Sequence, residues 1–365
     1  MLERPLCAAM PPLDPTAPPL SRFEFWPGWA FYAPLWPWLG ALMLRHGLGA
    51  PLAANPGLPA SGLVGESKSA VFKALRGSEA ATLARWIVEE RRGKPALHAC
   101  VIESSMEAAG IAYPVVAKPD LGCRGAGVRP VRNRRELIDY LAKFPLGRRL
   151  IIQQMVEAEG EAGVFYVRRP GEKHGRMISL TLKYFPHVVG DGASTVEQLI
   201  LADPRAGRVP HLYLSRLTDR LREVPLAGEA IRLVFAGNHC RGAIFRNGND
   251  LITDELTSRF DRIVDNIDGF HFGRFDIRFA DWRAMLRGEG FTIVEFNGAG
   301  AESTHIWDSR TRLLEAWRDL ARQYRLLFEI GAANRRLGHK PESLRQLWRR
   351  WRQEKNAVGS YPPTA

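Results

Sequence analysis

The residues best suited to chemistry lie in two short segments, "GRFDIRF" at 273–279 and "IVEFNGAG" at 293–300. Alternate residues of a strand share a face, so Arg274 and Asp276 point one way on the first segment, and Glu295 and Asn297 point one way on the second. If the two strands are antiparallel neighbours, the four groups converge. Two carboxylates and an amide oxygen are hard ligands suited to Mg2+, an ion that keeps part of its shell for substrate phosphates. An arginine beside them would hold a terminal phosphate or the charge that develops on it. A solvent-facing hairpin with an ordinary salt bridge would show the same polar residues. Phe275, Ile277, Val294 and Phe296 alternate with them, however, and indicate that the opposite face is buried. Gly298 and Gly300 follow, where an unhindered backbone could donate to an oxyanion.

A second constellation is "KPDLGCRGAG" at 118–127, with Lys118 at a strand end followed by Gly122, Gly125 and Gly127. Glycines let backbone amides approach an anion together, and the lysine adds a point charge, so a phosphate cradle is expected. A glycine-rich hairpin turn fits the same residues, because the spacing is neither GxxxxGK[ST] nor GxGxxG ahead of a helix.

The elements that must position these groups follow from punctuation and periodicity. "YPVVAKPDLGCRGAGVRPV" (113–131) reads as strand, loop, strand, with the helix "NRRELIDYLAKF" after it. "RLIIQQMVEAEGEAGVFYVRR" reads as strand, linker, strand, and "HGRMISLTLKYFPHVV" as another strand. Ser67 is expected to cap a helix through "KSAVFKALRG" and Ser78 a second through "EAATLARWIVEERRG", with Gly77 and Gly93 as stops. Further helices are predicted at 257–268, 309–330 and 341–355, and there are no internal repeats.

The chain has 365 residues, 45% hydrophobic and 25% charged, enough for two or three modules with real cores. Its formal charge of +12 raises nucleic acid or an acidic membrane as partners. Eleven Lys and Arg against four Asp and Glu between Arg318 and Lys355 supply +7 of it, and no recognised nucleic-acid module accompanies them. Cys7, Cys100, Cys123 and Cys240 form no CxxC pair, which argues against a zinc site or a disulfide framework and for a cytoplasmic setting. The start lacks a basic segment followed by a continuous apolar stretch, so no signal peptide is expected.

Residues 1–64 form a Pro- and Trp-rich arm. From Phe25 to Leu44 no residue is charged and Trp26, Trp29, Trp36 and Trp38 crowd together. That length matches a bilayer crossing, while Pro27, Pro34 and Pro37 would break an isolated helix. A surface or re-entrant anchor at 23–44, a span, and a buried arm packed on the main domain all fit. Near the other end, Leu344, Leu347, Trp348 and Trp351 lie at helical spacing among Arg349, Arg350 and Arg352; a helix lying on anionic lipid and one packed on the domain both fit.

The order of lysine, glycine-rich loop, hinge with a downstream glutamate, lysine, then Asp and Glu-x-Asn resembles the ATP-grasp superfamily over about residues 65–308. Within it, D-alanine–D-alanine ligases and the ATP-grasp part of cyanophycin synthetases are the nearest in pattern, and "HVVGDGASTVEQLI" (187–200) is especially similar to the latter. The resemblance implies an α+β class, two α/β subdomains gripping ATP, in a domain of 65–330 whose small subdomain covers about 112–156, with a basic helix and tail at 331–365. It implies that Lys68 and Lys118 reach the ATP phosphates, that Gln154, Met155 and Val156 lie along the adenine edge, and that Glu161 meets the ribose. Gln153 and Gln154 stand where an acidic residue is common. Lys183 would meet the γ-phosphate, Asp276, Glu295 and Asn297 would hold Mg2+ as two ions (Mn2+ being an alternative), and Gly298–Gly300 would donate to the reacting oxygen. Ser303, Thr304, His305 and His187 are candidate substrate contacts.

The function so implied is an ATP-dependent carboxylate–amine ligase acting through an acylphosphate on a small carboxylate and an amine. A phosphotransferase and a non-catalytic nucleotide-binding or membrane-associated interaction protein are the other readings. The implied localisation is cytoplasmic, with attachment to the inner face of a membrane or an oligomer left open. Many such ligases begin with a separate α/β domain, for which residues 1–64 are too short.

Overall fold

The computed structural model describes residues 8–122, 125–235, 237–362 and 364. Cys7 and Cys123 lie outside them.

The arm holds two short helices, α1 (Gly28–Tyr32) and α2 (Trp36–His46). Pro34 and Pro37 fall in the 3-10 turn between them and in the first turn of α2, where a missing N–H is tolerated, so the prolines divide the apolar run rather than disrupt it. Among the described residues no helix is long and apolar enough to cross a membrane. Ser67 caps α3 (Lys68–Ala74) by accepting the Ala70 N–H.

The helix expected after Ser78 does not form. A 3-10 turn covers Gly77–Thr82, and Trp86–Glu90 is strand β1. Aromatic and β-branched Trp86, Ile87 and Val88 suit a pleated surface, and pairing with a neighbouring strand overrides the helical spacing. Helix α4 (Pro95–Ala108) follows, opened by Pro95 in its first turn. Strands β2 (Val115–Pro119) and β3 (Arg129–Val131), helix α5 (Arg134–Lys143) and strand β4 (Arg149–Gln154) complete a four-stranded antiparallel sheet in the order β1-β4-β2-β3. Its core joins Ile102 and Met106 of α4 with Leu137 and Leu141 of α5 and Val115, Ala117 and Ile152 of the sheet. The unit reaches back to Trp86, upstream of the expected boundary near 112, because β1 supplies the edge strand beside β4.

Next come β5 (Gly160–Val167), β6 (Arg176–Tyr184), β7 (His187–Val189), α6 (Val196–Ala202), β8 (Ala230–Arg232) and β9 (Ile244–Asn247). Then follow α7 (Asp254–Asp265), β10 (Phe272–Phe279), α8 (Trp282–Leu286) and β11 (Phe291–Asn297). β7 and β8 pair alone, while β11-β10-β5-β6-β9 form the larger antiparallel sheet. One face of it is apolar: Phe275, Ile277, Val164, Leu180 and Ile293 pack with Leu256, Phe260 and Ile263 of α7. The other face carries charge. Helices α9 (Leu313–Arg336) and α10 (Leu344–Val358) close the chain, α10 opened by a capping box between Ser343 and Gln346.

Candidate active site

β10 and β11 are antiparallel, with Arg274 opposite Asn297 and Asp276 opposite Glu295. The pairing then shifts to Ile277 opposite Ile293, leaving Val294 as the extra residue of a β-bulge. On the other side of β10, Asp276 faces Gly163 and Arg278 faces Glu161 of β5, and Glu161 in turn faces Lys183 of β6. Seven strand positions, Arg274, Asp276, Arg278, Glu295, Asn297, Glu161 and Lys183, thus put their polar groups on one face.

Lys183 Nζ sits 3.0 Å from Asp276 Oδ1 and 3.1 Å from Glu161 Oε1. Arg274 donates from Nε and Nη2 to the two Asp276 oxygens at 3.0 and 3.3 Å, and from Nη1 to the Glu302 carbonyl at 3.1 Å. Burial alone would raise the Asp276 carboxyl, but Arg274 and Lys183 outweigh it and bring its pKa down to about 2. Gly163 leaves the room for this packing: a Cβ there would lie 3.3 Å from both Arg274 Cδ and Asp276 Oδ1.

Glu295 is met from outside the sheet. Lys68, the first residue of α3, places Nζ 2.8 Å from Glu295 Oε1 and 3.2 Å from the Gly122 carbonyl. Lys118 donates to Gln153 Oε1 at 2.7 Å and to the carbonyl of the bulged Val294 at 3.3 Å. Burial against the Glu295 carboxylate is again outweighed, here by Lys68 and Lys118, and its pKa is lowered. Lys118 itself, buried with a neutral glutamine as its close partner, is pushed down to about 8. Three lysines and one arginine from both sheets and α3 therefore gather on two carboxylates.

Sequence reasoning missed three supports. Asp120 accepts the Ser69 N–H at 2.7 Å and the Ser67 hydroxyl at 2.9 Å, fixing the positive end of α3, and with it Lys68, against the glycine-rich loop. Its signal was a carboxylate inside "KPDLG". Arg278 shares the alternation of Arg274 and Asp276; it donates to Glu161 Oε2 at 3.3 Å and to the Val156 carbonyl at 2.8 Å. Glu66, two residues before Lys68, has a pKa raised by burial to about 7.

Several of the expected site residues have partners within the protein. The Gly300 N–H donates to the Gly62 carbonyl at 2.8 Å and that of Ala299 to the Ser61 carbonyl at 2.9 Å, so these amides pin the arm and are not presented to an oxyanion. A Cβ on Gly298 would lie 2.5 Å from the Ser61 carbonyl oxygen, so its glycine serves close backbone approach. In the hinge, the Met155 N–H donates to the Pro114 carbonyl, and Gln154 accepts from Ala112 N–H and donates to Pro114, because the β4 ladder runs on to the 112–114 turn. Glu161, the expected ribose contact, belongs to the charge cluster with Lys183 and Arg278. His305 is buried, with Ser179 Oγ at 2.7 Å and Asp319 Oδ2 at 3.1 Å, and Ser303 N–H is held by Gln323, so both brace the loop after β11 from inside. Thr304 bonds Thr181 at 3.0 Å. His187 lies on the β7–β8 ladder opposite Arg232.

In the glycine-rich loop, Gly125 and Gly127 adopt φ of 71° and 69°, a region that side chains disfavour. The Gly127 N–H donates to Thr364 Oγ1 at 3.2 Å, and that hydroxyl donates to the Gly125 carbonyl at 2.8 Å. Tyr361 donates to the Leu121 carbonyl at 2.7 Å and stacks on Phe144. The segment after α10 thus straps the loop.

The all-oxygen set of Asp276, Glu295 and Asn297 fits Mg2+. Among the described residues no three His, Cys, Asp or Glu side chains form a self-sufficient metal cage. Mg2+ asks for less, one or two carboxylates beside substrate phosphates.

Two antiparallel sheets meet over one group of lysines, arginine and carboxylates, and the chain is similar to the ATP-grasp ligases. Its particular relatives are cyanophycin synthetases, that of Nostoc sp. (strain PCC 7120) being 27% identical over 230 residues and that of Synechocystis sp. (strain PCC 6803) 26% over 218. These matches cover 57% and 54% of this chain, which spans about a quarter of the relatives' length, 24% in each case. No family model matches. Solved structures with a similar trace include D-alanine–D-alanine ligase from Bacillus anthracis complexed with ATP (15% identity, 77% of this chain and 70% of that one, TM-score 0.39). Another is the bifunctional glutathione synthetase from Pasteurella multocida (16%, 72% and 35%, TM-score 0.36).

Proposed function

We propose that this protein is an ATP-dependent carboxylate–amine ligase that forms an amide or peptide bond through an acylphosphate. One observation carries the reading: Lys68, Lys118, Lys183 and Arg274 arrive from separate elements at Asp276 and Glu295, a charge set matched to a triphosphate. Asp276, Glu295 and Asn297 would hold Mg2+, in one or two ions or as Mn2+, which supplies charge neutralisation between the phosphates.

In the first step a carboxylate oxygen of the substrate attacks the γ-phosphorus of ATP, the bond to the β,γ-bridging oxygen breaks, and ADP leaves. Lys183 and Arg274 offset the charge on the transferred group, and Lys68 and Lys118 that on the leaving side. In the second step an amine attacks the acyl carbon, phosphate departs and the nitrogen loses a proton. The protein's work is positioning and electrostatics, because phosphoryl transfer leaves little covalent chemistry to it. Gln153 in place of an acid matters here, since a neutral partner leaves the charge of Lys118 for phosphate. The arm takes part in the donor pocket: Tyr32 donates to the carboxylate of Glu302, whose carbonyl holds Arg274. We infer a cytoplasmic setting, where ATP is supplied.

The test is phosphate release from Mg-ATP by purified protein over a panel of amino acids and dipeptides, with mass spectrometry of the products. Phosphate together with a new amide is expected. A phosphorylated substrate without an amide would make the protein a phosphotransferase. Nucleotide binding with no turnover on any acceptor would make it an interaction protein on the same fold.

A further inference from the structure

The arm docks through one face only. Phe31, Leu35 and Leu42 are buried, the Trp38 indole donates to the Ala321 carbonyl at 3.0 Å, and the Trp317 indole donates to the Phe31 carbonyl at 2.9 Å. The outward face is bare: Trp29 is 71% exposed, Trp36 56% and Leu44 91%, with Trp26 and Leu48 beside them. No Asp or Glu occurs between Glu24 and Glu66, while Arg45 and His46 do.

α10 presents a matching face. Trp348 and Trp351 are exposed, with the Arg352 guanidinium 5.2 Å from the first ring and the Lys355 ammonium 4.9 Å from the second. The nearby acids turn inward, Glu342 just before the helix to Arg350 and the Ala60 N–H, and Glu354 within it to the Gly65 N–H. The end of the arm's α2 lies close to the start of α10: Arg335, at the end of α9, donates to the His46 carbonyl at 3.3 Å, and Pro341, just before α10, lies against Gly49.

We propose that these faces together dock the protein on an anionic membrane surface. Tryptophans flanked by lysine and arginine match the headgroup depth of a bilayer, with the indoles in the interface and the cations on phosphate. α2, at about 1.5 Å per residue over its 11 residues, is too short to span the roughly 30 Å hydrocarbon core, so it lies on the surface. Charge favours an anionic occupant over a second copy: the arm carries no Asp or Glu between Glu24 and Glu66, so neither face of a copy offers carboxylates to the arginines of α10. This surface carries none of the residues that gather on Asp276 and Glu295.

Full-length protein should sediment with vesicles of phosphatidylcholine mixed with phosphatidylglycerol, less with phosphatidylcholine alone, and should be released by salt. The Trp29→Ser/Trp36→Ser/Leu44→Ser variant should bind the mixed vesicles at least about tenfold more weakly, and Arg345→Glu/Arg349→Glu/Arg352→Glu should lose the preference for anionic lipid. Trp29→Ser alone, at a largely solvated site, serves if the triple variant does not fold. Absence of sedimentation with either vesicle, or equal and salt-insensitive binding to both, would overturn the proposal. So would a concentration-dependent dimer in sedimentation velocity that the same variants abolish, since it would assign the face to a second copy.

Discussion

Asp276 and Glu295 stand opposite each other across β10 and β11, yet they are neutralised from different directions. Lys183 and Arg274, on the sheet itself, hold Asp276, whereas Glu295 is held by Lys68 from α3, a helix tied to the glycine-rich loop through Asp120. The two carboxylates therefore differ in what their loss should do.

Glu295→Gln should abolish Mg-ATP-dependent phosphate release while leaving the circular dichroism spectrum and the melting temperature close to the parent's, because the Glu295 side chain, unlike that of Asp276, is partly open to water and Lys68 keeps its bond to the Gly122 carbonyl. Full activity in this variant would refute the metal role.

Asp276→Asn should cost stability as well, on the order of 3 kcal/mol, because it strips two buried cations of their shared anion. Thermal melting measures it. The pH dependence has a definite sign: a carboxyl depressed to about 2 contributes stability present above the ordinary Asp range and lost as pH falls from about 4 toward 2. That part of the acid limb should be absent in Asp276→Asn.

Lys118 carries its charge below about pH 8. The kcat/KM for ATP, which reports the free enzyme, should fall as pH rises through that value, and Lys118→Arg should move the limb upward. An unmoved limb would assign it to another group.

Removal of divalent metal with a chelator should stop phosphate release, and Mn2+ should restore it as Mg2+ does. Restoration in the Glu295→Gln variant would contradict the ligand assignment.

Tyr361→Ala removes a hydrogen bond to the loop and a ring packed on Phe144. A lost bond of about 1 kcal/mol corresponds to a roughly fivefold rise in KM for ATP, with kcat less affected. A change in kcat alone would place the strap's effect elsewhere.

The sequence by itself determined the charged face of the central sheet. Period-two alternation in "GRFDIRF" and "IVEFN" requires that Arg274 and Asp276, and Glu295 and Asn297, share sides once the alternate phenylalanines are buried, and their pairing follows if the strands are neighbours. It also determined Ser67 as the cap that starts α3, because capping is local chemistry. It did not determine β1, whose "WIVEE" spacing is read equally as helix until β4 offers a ladder. Nor did it determine which amides remain available. The Gly300 and Met155 N–H groups are taken by Gly62 and Pro114, one of them more than 200 positions away in the chain. The same holds for the arm, where the division of one uncharged run into a buried and a bare face depends on where α9 and Trp307 stand. Alternation and capping act between near neighbours and are written in the chain; the pairing of a backbone amide and the covering of an apolar face depend on long-range packing, which only the tertiary structure decides.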